Sequence, residues 1–216
     1  MFVSIHIPKC AGTSFRHILQ EQCGNRLWLN YGTIFVRSQA RRDLVPSDAA
    51  WIHGHFFADA FDDLFPDRRL LTWVRHPVER VVSNYHHFLR SPDMRDDCCR
   101  ALYERRLSLP EFARLDWMRN EASRYLTEKP VSDFAFVGVS ERFDDSLRIF
   151  EWRFMPGARL ASRVDNTNPE RRGPGYKLAP EVVSQILELN ATDLALYDEA
   201  VVRLNGELAE FEACVA

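Results

Sequence analysis

Three stretches of this chain combine residue types that can do chemistry. The first is Pro8-Lys9-Cys10-Ala11-Gly12-Thr13-Ser14-Phe15, which follows a short β-rich run at residues 2–7. From Ser14 the pattern turns helical, with Phe15, Ile18 and Leu19 on one face, and Gly24 is a plausible stop. In a strand–loop–helix unit of this kind the backbone N–H groups of the loop and first helical turn point at an anion, and the helix dipole favours it. Lys9 adds charge, and Thr13 and Ser14 add hydroxyls. The second stretch is Arg75-His76-Pro77-Val78-Glu79-Arg80-Val81-Val82-Ser83. Arg75 leaves the end of an apolar run, Pro77 sits where a helix begins, and Ser83 falls about two turns into that helix. Arginine gives a forked, charge-assisted grip on phosphate. The third is His53-Gly54-His55-Phe56, two histidines at i and i+2 on an extended segment, which places both on one side. A histidine near neutral pKa can take the proton of a hydroxyl. An HxH pair can also bind zinc, but no further ligand stands at a suitable spacing, so no metal is expected. Taken singly, each stretch has a plain structural reading: a capped helix, an arginine beside an exposed serine, a pair of packed histidines.

The first loop is not of the Walker A form. That motif sets its lysine directly after its last glycine, whereas Lys9 precedes Gly12 by three positions. The run 70–75 (LLTWVR) ends in Arg75, where a magnesium-dependent phosphoryl enzyme would hold an aspartate. Lysine and arginine without a metal carboxylate suit a highly anionic donor neutralised by side chains.

The elements that must position these residues alternate. Strands are predicted at 2–7, at 50–53 and at 70–75, the last buried on both faces, and at 134–139; one or two more short strands fit 26–36, and 159–164 fits a last one. Helices are predicted from Ser14, from Pro77 to before Pro92, in two or three pieces over 97–127 broken near Pro110, from Ser140 to Phe150, and over 181–189 and 191–211. Residues 165–178, rich in Pro, Gly and charge, read as a loop. The fold class is therefore α/β, a central parallel sheet flanked by helices, as in the P-loop-NTPase-like three-layer folds. Ligands bind such folds beyond the carboxyl ends of the strands, where all three stretches lie.

With these residues in place, the sequence resembles the sulfotransferases that use 3′-phosphoadenosine 5′-phosphosulfate (PAPS). Pro8-Lys9 with Gly12-Thr13-Ser14-Phe15 looks like their 5′-phosphosulfate loop. Val74-Arg75-His76-Pro77 through Arg80 and Ser83-Asn84-Tyr85 looks like their 3′-phosphate element, and the order and separation of the two also fit. The likeness is closest to the carbohydrate branch that includes the heparan and uronyl 2-O-sulfotransferases, which carry a His-Gly-His at this point. The resemblance implies donor contacts from Lys9, Cys10, Ala11, Gly12, Thr13, Ser14, Phe15, Arg75 and Ser83. It implies His55 as general base, with His53 orienting it or the acceptor, and Lys9 stabilising charge on the leaving oxygen. It implies a late loop, at Asn166 and Thr167 with Arg171, Arg172 and Lys177 behind, that closes over the donor. Leu194-Ala195-Leu196-Tyr197 resembles a late family helix and reads as packing. Residues 91–133 match no element of the family, so a helical insert making acceptor contacts is expected there, within a single domain spanning 1–216.

Bulk composition narrows the classes. The 216 residues are 46% hydrophobic and 27% charged, with a net charge of −3 and a pI near 6.2. Nothing global favours nucleic acid or an anionic membrane, and an acidic chain disfavours a long polyanionic acceptor. The arginine pairs at 41–42, 68–69, 105–106 and 171–172 read as solvated surface. The five cysteines are odd in number and lack metal or disulfide spacing, so a reducing compartment is expected, with Cys98-Cys99 on a helix surface. No signal peptide or membrane span is apparent and the chain starts with Met, which together point to a complete cytoplasmic protein. Two other functions compete: a nucleotide kinase, which would bind ATP with Mg²⁺, and a non-catalytic module binding a nucleotide or sulfated glycan.

Overall fold

The computed structural model describes residues 1–35, 40–161 and 175–215. Five strands, β1 (Phe2–Ile5), β2 (Leu27–Phe35), β3 (Trp51–Phe56), β4 (Arg69–Val74) and β5 (Phe136–Val139), form one sheet in the order β2-β3-β1-β4-β5. Every pairing is parallel. Strand β1 is central because it can be: Val3 and Ile5 on one side and Ser4 on the other are all buried, the pattern of a strand covered on both faces.

Helix α1 (Gly12–Cys23) returns from β1, and α2 (Pro77–Arg90) from β4. Four shorter or later helices follow before the C-terminus: α3 (Asp97–Glu104), α4 (Leu109–Ala113), α5 (Glu121–Tyr125) and α6 (Phe143–Phe154). The chain closes with α7 (Pro180–Leu189) and α8 (Ala191–Val215). Phe15 of α1 and Phe150 of α6 meet at 4.9 Å between ring centroids over Trp73 and Phe136, building an aromatic core on one face of the sheet. Gly138 sits beside Trp73 in register, and any side chain there would strike the indole. A second apolar cluster joins Val78, Val81, Val82 and Phe88 of α2 to Leu102, Phe112, Met118 and Ile186. The segment 91–133 is thereby packed on α2 and α7.

Several element expectations change. Within 26–36 a single strand forms, Leu27–Phe35, entered through a 3-10 turn at Gly24–Arg26, and residue 36 lies outside the described residues. Strand β3 continues to Phe56, so both histidines of His53-Gly54-His55 belong to the sheet. Gly54 is needed there, since a Cβ would lie 1.8 Å from the Asn30 carbonyl oxygen of the neighbouring strand. The break near Pro110 is as expected: α3 ends at Glu104, and Pro110 stands in the first turn of α4 within a capping box of Ser108 and Glu111. Cys98 and Cys99 are buried at 7% and 0% exposure in the second cluster, not displayed on a surface. Residues 159–161 belong to no strand, and the remainder of that expected strand lies outside the described residues.

Arg80 also departs from its expected neighbourhood with the anion site. Its side chain is fully buried and ion-paired with Glu121. It also donates to the Met118 carbonyl at 2.9 Å and to Asn190 Oδ1 at 3.3 Å, with Asp193 Oδ2 3.8 Å from its Nε. Asp193 in turn accepts from the backbone N–H groups of Ala122 and Ser123, capping α5. Removing the cation would leave buried carboxylates unpaired. Arg80→Met should therefore lose about 3–5 kcal/mol of stability, read by urea denaturation, whereas Arg75→Ala should change it far less.

Candidate active site

The loop between β1 and α1 turns in six residues, 6–11. Lys9 and Ala11 both adopt left-handed backbone, at φ 65° and φ 58°. Cys10 is turned inward at 1% exposure, burial pushes its thiol well above the usual range, and its N–H closes the turn on the Ile7 carbonyl. Phe15 points into the core, with its N–H already in the helix. The side chains of Cys10 and Phe15 thus shape the loop from inside. Helix α1 starts at Gly12 with Ala11 as cap, no side-chain capping bond, and no acidic residue in its first turn. The N–H groups of Gly12, Thr13 and Ser14 are those that an α-helix by its geometry leaves without an intrahelical acceptor. Thr13 is half-buried and Ser14 is buried.

Arg75 follows β4 directly and reaches this loop. Its Nη1 donates to the Lys9 carbonyl at 3.2 Å, so the first two stretches singled out in the sequence are joined in space. Its Nη2 donates to Glu79 Oε2 at 3.2 Å, and its Nε lies 3.7 Å from Glu141 Oε1. Glu141 comes from the turn after β5 and also accepts from the N–H of His76, the residue before α2. Burial lifts the Glu141 carboxyl above its ordinary range, against the pull of Arg75. Lys9 is pushed down to about 8, first by burial and then by the charges of Arg75 and Arg90. Ser83 is half-buried on α2. His87, one turn further along, is held below the ordinary histidine range by burial and by Lys9 and Arg90. The neighbours of Ser83 are structural: Asn84 is buried against Met118, and the Tyr85 hydroxyl donates to the Leu107 carbonyl at 3.3 Å.

The histidines form a larger group than the motif suggests. His6, which the sequence reading passed over, stands between His53 and His55, with ring centroids at 5.3 Å and 4.6 Å. The strand register explains this. Ser4 of β1 lies opposite His53 of β3, and the His6 N–H continues the ladder to the Gly54 carbonyl. Side chains two residues on from Ser4 and His53 then share a face. His53 is fully buried, with Nδ1 2.9 Å from Ser4 Oγ, so it reaches neighbours within the sheet rather than solvent. His55 is half-buried, with Nδ1 3.5 Å from the Tyr125 hydroxyl. Burial brings His55 down to about 4, with help from the Arg16 charge. Burial also brings His53 down to about 3, although the Gly12 backbone opposes it. His6 is lowered too, by burial and then by the other two rings.

The remaining expectations fall elsewhere. Asn166 and Thr167 of the late loop, with Arg171 and Arg172, lie outside the described residues. Asp193 and Tyr197 of the C-terminal helix serve packing. Asp193 caps α5, and the Tyr197 ring stands edge-on to His76 at 5.3 Å. No group of three or more metal-ligating side chains is arranged for an ion among the described residues. A separate cavity of 310 Å³, lined by Phe2, Cys23, Trp51 and Phe154 among others, lies at the opposite, amino ends of β1 and β3. Among the described residues no helix is long and apolar enough to cross a membrane.

Compared by sequence, the chain matches no family model and no curated protein. Compared by structure, it is similar to a sulfotransferase from Alicyclobacillus acidocaldarius, solved by crystallography. The TM-score is 0.51 at 16% identity, over 94% of this chain and 95% of that chain. The likeness defines the fold, an α/β sheet of parallel strands flanked by helices of the kind seen in a sulfotransferase.

The site predicts a pH dependence. Each lowered imidazole binds its proton less tightly folded than unfolded. Between the ordinary value of 6.5 and about 4 for His55, the unfolded chain then holds more protons. Stability from this source is full above pH 6.5 and is lost as the pH falls through that window. Melting temperature should decline across it, and His55→Gln should flatten the slope.

Proposed function

We propose that this protein is a sulfotransferase that moves the sulfuryl group of PAPS to a hydroxyl, with a carbohydrate as the acceptor class. The observation that carries the reading is the contact of Arg75 with the Lys9 carbonyl at 3.2 Å. It brings two cationic side chains and an uncapped helix start to the carboxyl end of the central strand, where an anionic nucleotide fits. The sulfotransferase-like fold supports the same conclusion.

In this reading the 5′-phosphosulfate lies over residues 9–14, and Arg75 with Ser83 holds the 3′-phosphate. Arg75 then exchanges its carboxylate partners, at least in part, for phosphate. His55 takes the acceptor proton as the acceptor oxygen attacks sulfur. The new S–O bond forms as the bond from sulfur to the bridging phosphate oxygen breaks. Lys9 stabilises the charge gathering on that oxygen. The low proton affinity of His55 in the free protein keeps it neutral and ready to accept, and donor anions would offset the Arg16 charge that lowers it. No metal has a role in this scheme. The segment 91–133, which reaches His55 through Tyr125, forms the acceptor side.

The direct test is thermal melting with adenosine 3′,5′-bisphosphate against ATP plus Mg²⁺, in wild type and Arg75→Ala. A ligand specific to the folded state at a hundred times its Kd adds about 2.7 kcal/mol. Stabilisation by the bisphosphate, lost in Arg75→Ala, is expected. A shift only with ATP and Mg²⁺ would favour a nucleotide kinase and refute the donor assignment. In turnover of PAPS with a panel of neutral and uronic-acid oligosaccharides, His55→Gln and Lys9→Ala should each cost about 10²–10³-fold in kcat. Bisphosphate binding without transfer to any member of the panel would point instead to a binding module.

A further inference from the structure

His6 has no role in the scheme above, yet it is closely held on several sides. It is 8% exposed. Its Nδ1 lies 2.7 Å from the Tyr31 hydroxyl. Its Cδ2 and Nε2 occupy the place a Gly12 side chain would take, 1.9 and 2.2 Å from an ideal Cβ. Its ring leans on His55 at 39° between planes, and Tyr31 stands edge-on to both rings at 5.4 and 5.0 Å. His6 therefore touches the first residue of the anion-binding helix on one side and the candidate base on the other.

The Tyr31 hydroxyl can donate to Nδ1 of His6 or accept from it. The Arg16 guanidinium carbon, 5.4 Å from the Tyr31 ring centroid, adds positive charge beside this pair. A neutral imidazole that accepts at Nδ1 carries its own proton on Nε2. A Tyr31 → His6 bond in that direction selects one tautomer and one ring plane.

We propose that His6 is a positioning residue of this active site: held by Tyr31 with its proton on Nε2, it sets the His55 imidazole at a fixed distance from the Gly12 end of the anion loop. The assignment rests on the donor reading only for what the loop carries. Transfer is sensitive to such spacing, since small displacements of a reacting group cost rate steeply. Gly12 is part of the same device, because a larger residue would expel the His6 ring. The Arg16 charge acts on all three histidines.

The test is nitrogen-15 imidazole spectroscopy of histidine-labelled protein from pH 5 to 8, with and without adenosine 3′,5′-bisphosphate. The expected result is a single neutral His6 tautomer protonated at Nε2 throughout. Tyr31→Phe should give mixed His6 tautomers and shift the His55 signals. His6→Asn, which keeps an acceptor near the Nδ1 position, should preserve the His55 signals better than His6→Phe does, a comparison that stands even if Tyr31→Phe does not fold. A His6 proton on Nδ1, or His55 signals indifferent to both His6 variants, would overturn the proposal. Bound bisphosphate should shift the His6 signals through Gly12. If the bisphosphate fails to bind wild type, the donor assignment falls, while the tautomer and the His55 response still decide the role of His6.

Discussion

A guanidinium without access to water must be surrounded by acceptors, and the position of Arg80 makes that requirement organise half of the molecule. The side chain projects from α2 into a space closed by Glu121, Met118, Asn190 and Asp193. Those partners come from α5, the turn before it, and the junction of α7 and α8. Burial raises the Glu121 carboxyl to about 7, against the opposing pull of Arg80. The two charges suit one another only in this arrangement. Asn120 adds bonds across the same junction, its N–H on Asn190 Oδ1 at 2.9 Å and its Oδ1 accepting from the Thr192 N–H at 3.1 Å. Helix α2 is thereby locked to segments distant in sequence. Arg75, at the entrance to that helix, inherits its position.

The site above this anchor is electrostatically compensated in the free protein. Lys9 and Arg75 stand close enough to oppose one another's charge, and the Glu79 and Glu141 carboxylates partner Arg75. The three histidines remain neutral because burial and Arg16 both disfavour a proton on them. An arriving polyanion would change every one of these balances in the same direction, favouring charged Lys9 and more basic imidazoles. On the proposed reading, binding of an anionic donor would make the site better suited to accept a proton in the same event.

Much of this was legible before any coordinates. The apolar run at 70–74, the Pro77 start of α2 and the loop after residues 2–7 are local signals, and each element formed within a few residues of its expected place. The errors have a common cause. Cys98 and Cys99 were read as surface because helical spacing alone cannot say which side faces another helix, and here both sides do. Arg80 was read with the anion element because it stands five residues after Arg75, but on the helix it falls on the face turned to α5. His6 was missed because its partners belong to a strand some fifty residues away.

The sequence by itself determined the alternation of strands and helices, the loop with Lys9 and the helix-opening Arg75-His76-Pro77. These depend on side-chain periodicity, on the conformational limits of proline and on the absence of a Walker lysine, all of which are local. Only the tertiary structure decided that β1 lies between β3 and β4, since the strand order β2-β3-β1-β4-β5 does not follow chain order. That order sets Lys9 against Arg75 on one side and places His6 between His53 and His55 on the other. Parallel register and burial are properties of the assembled sheet. They brought three separate motifs and one further histidine together at one end of the sheet.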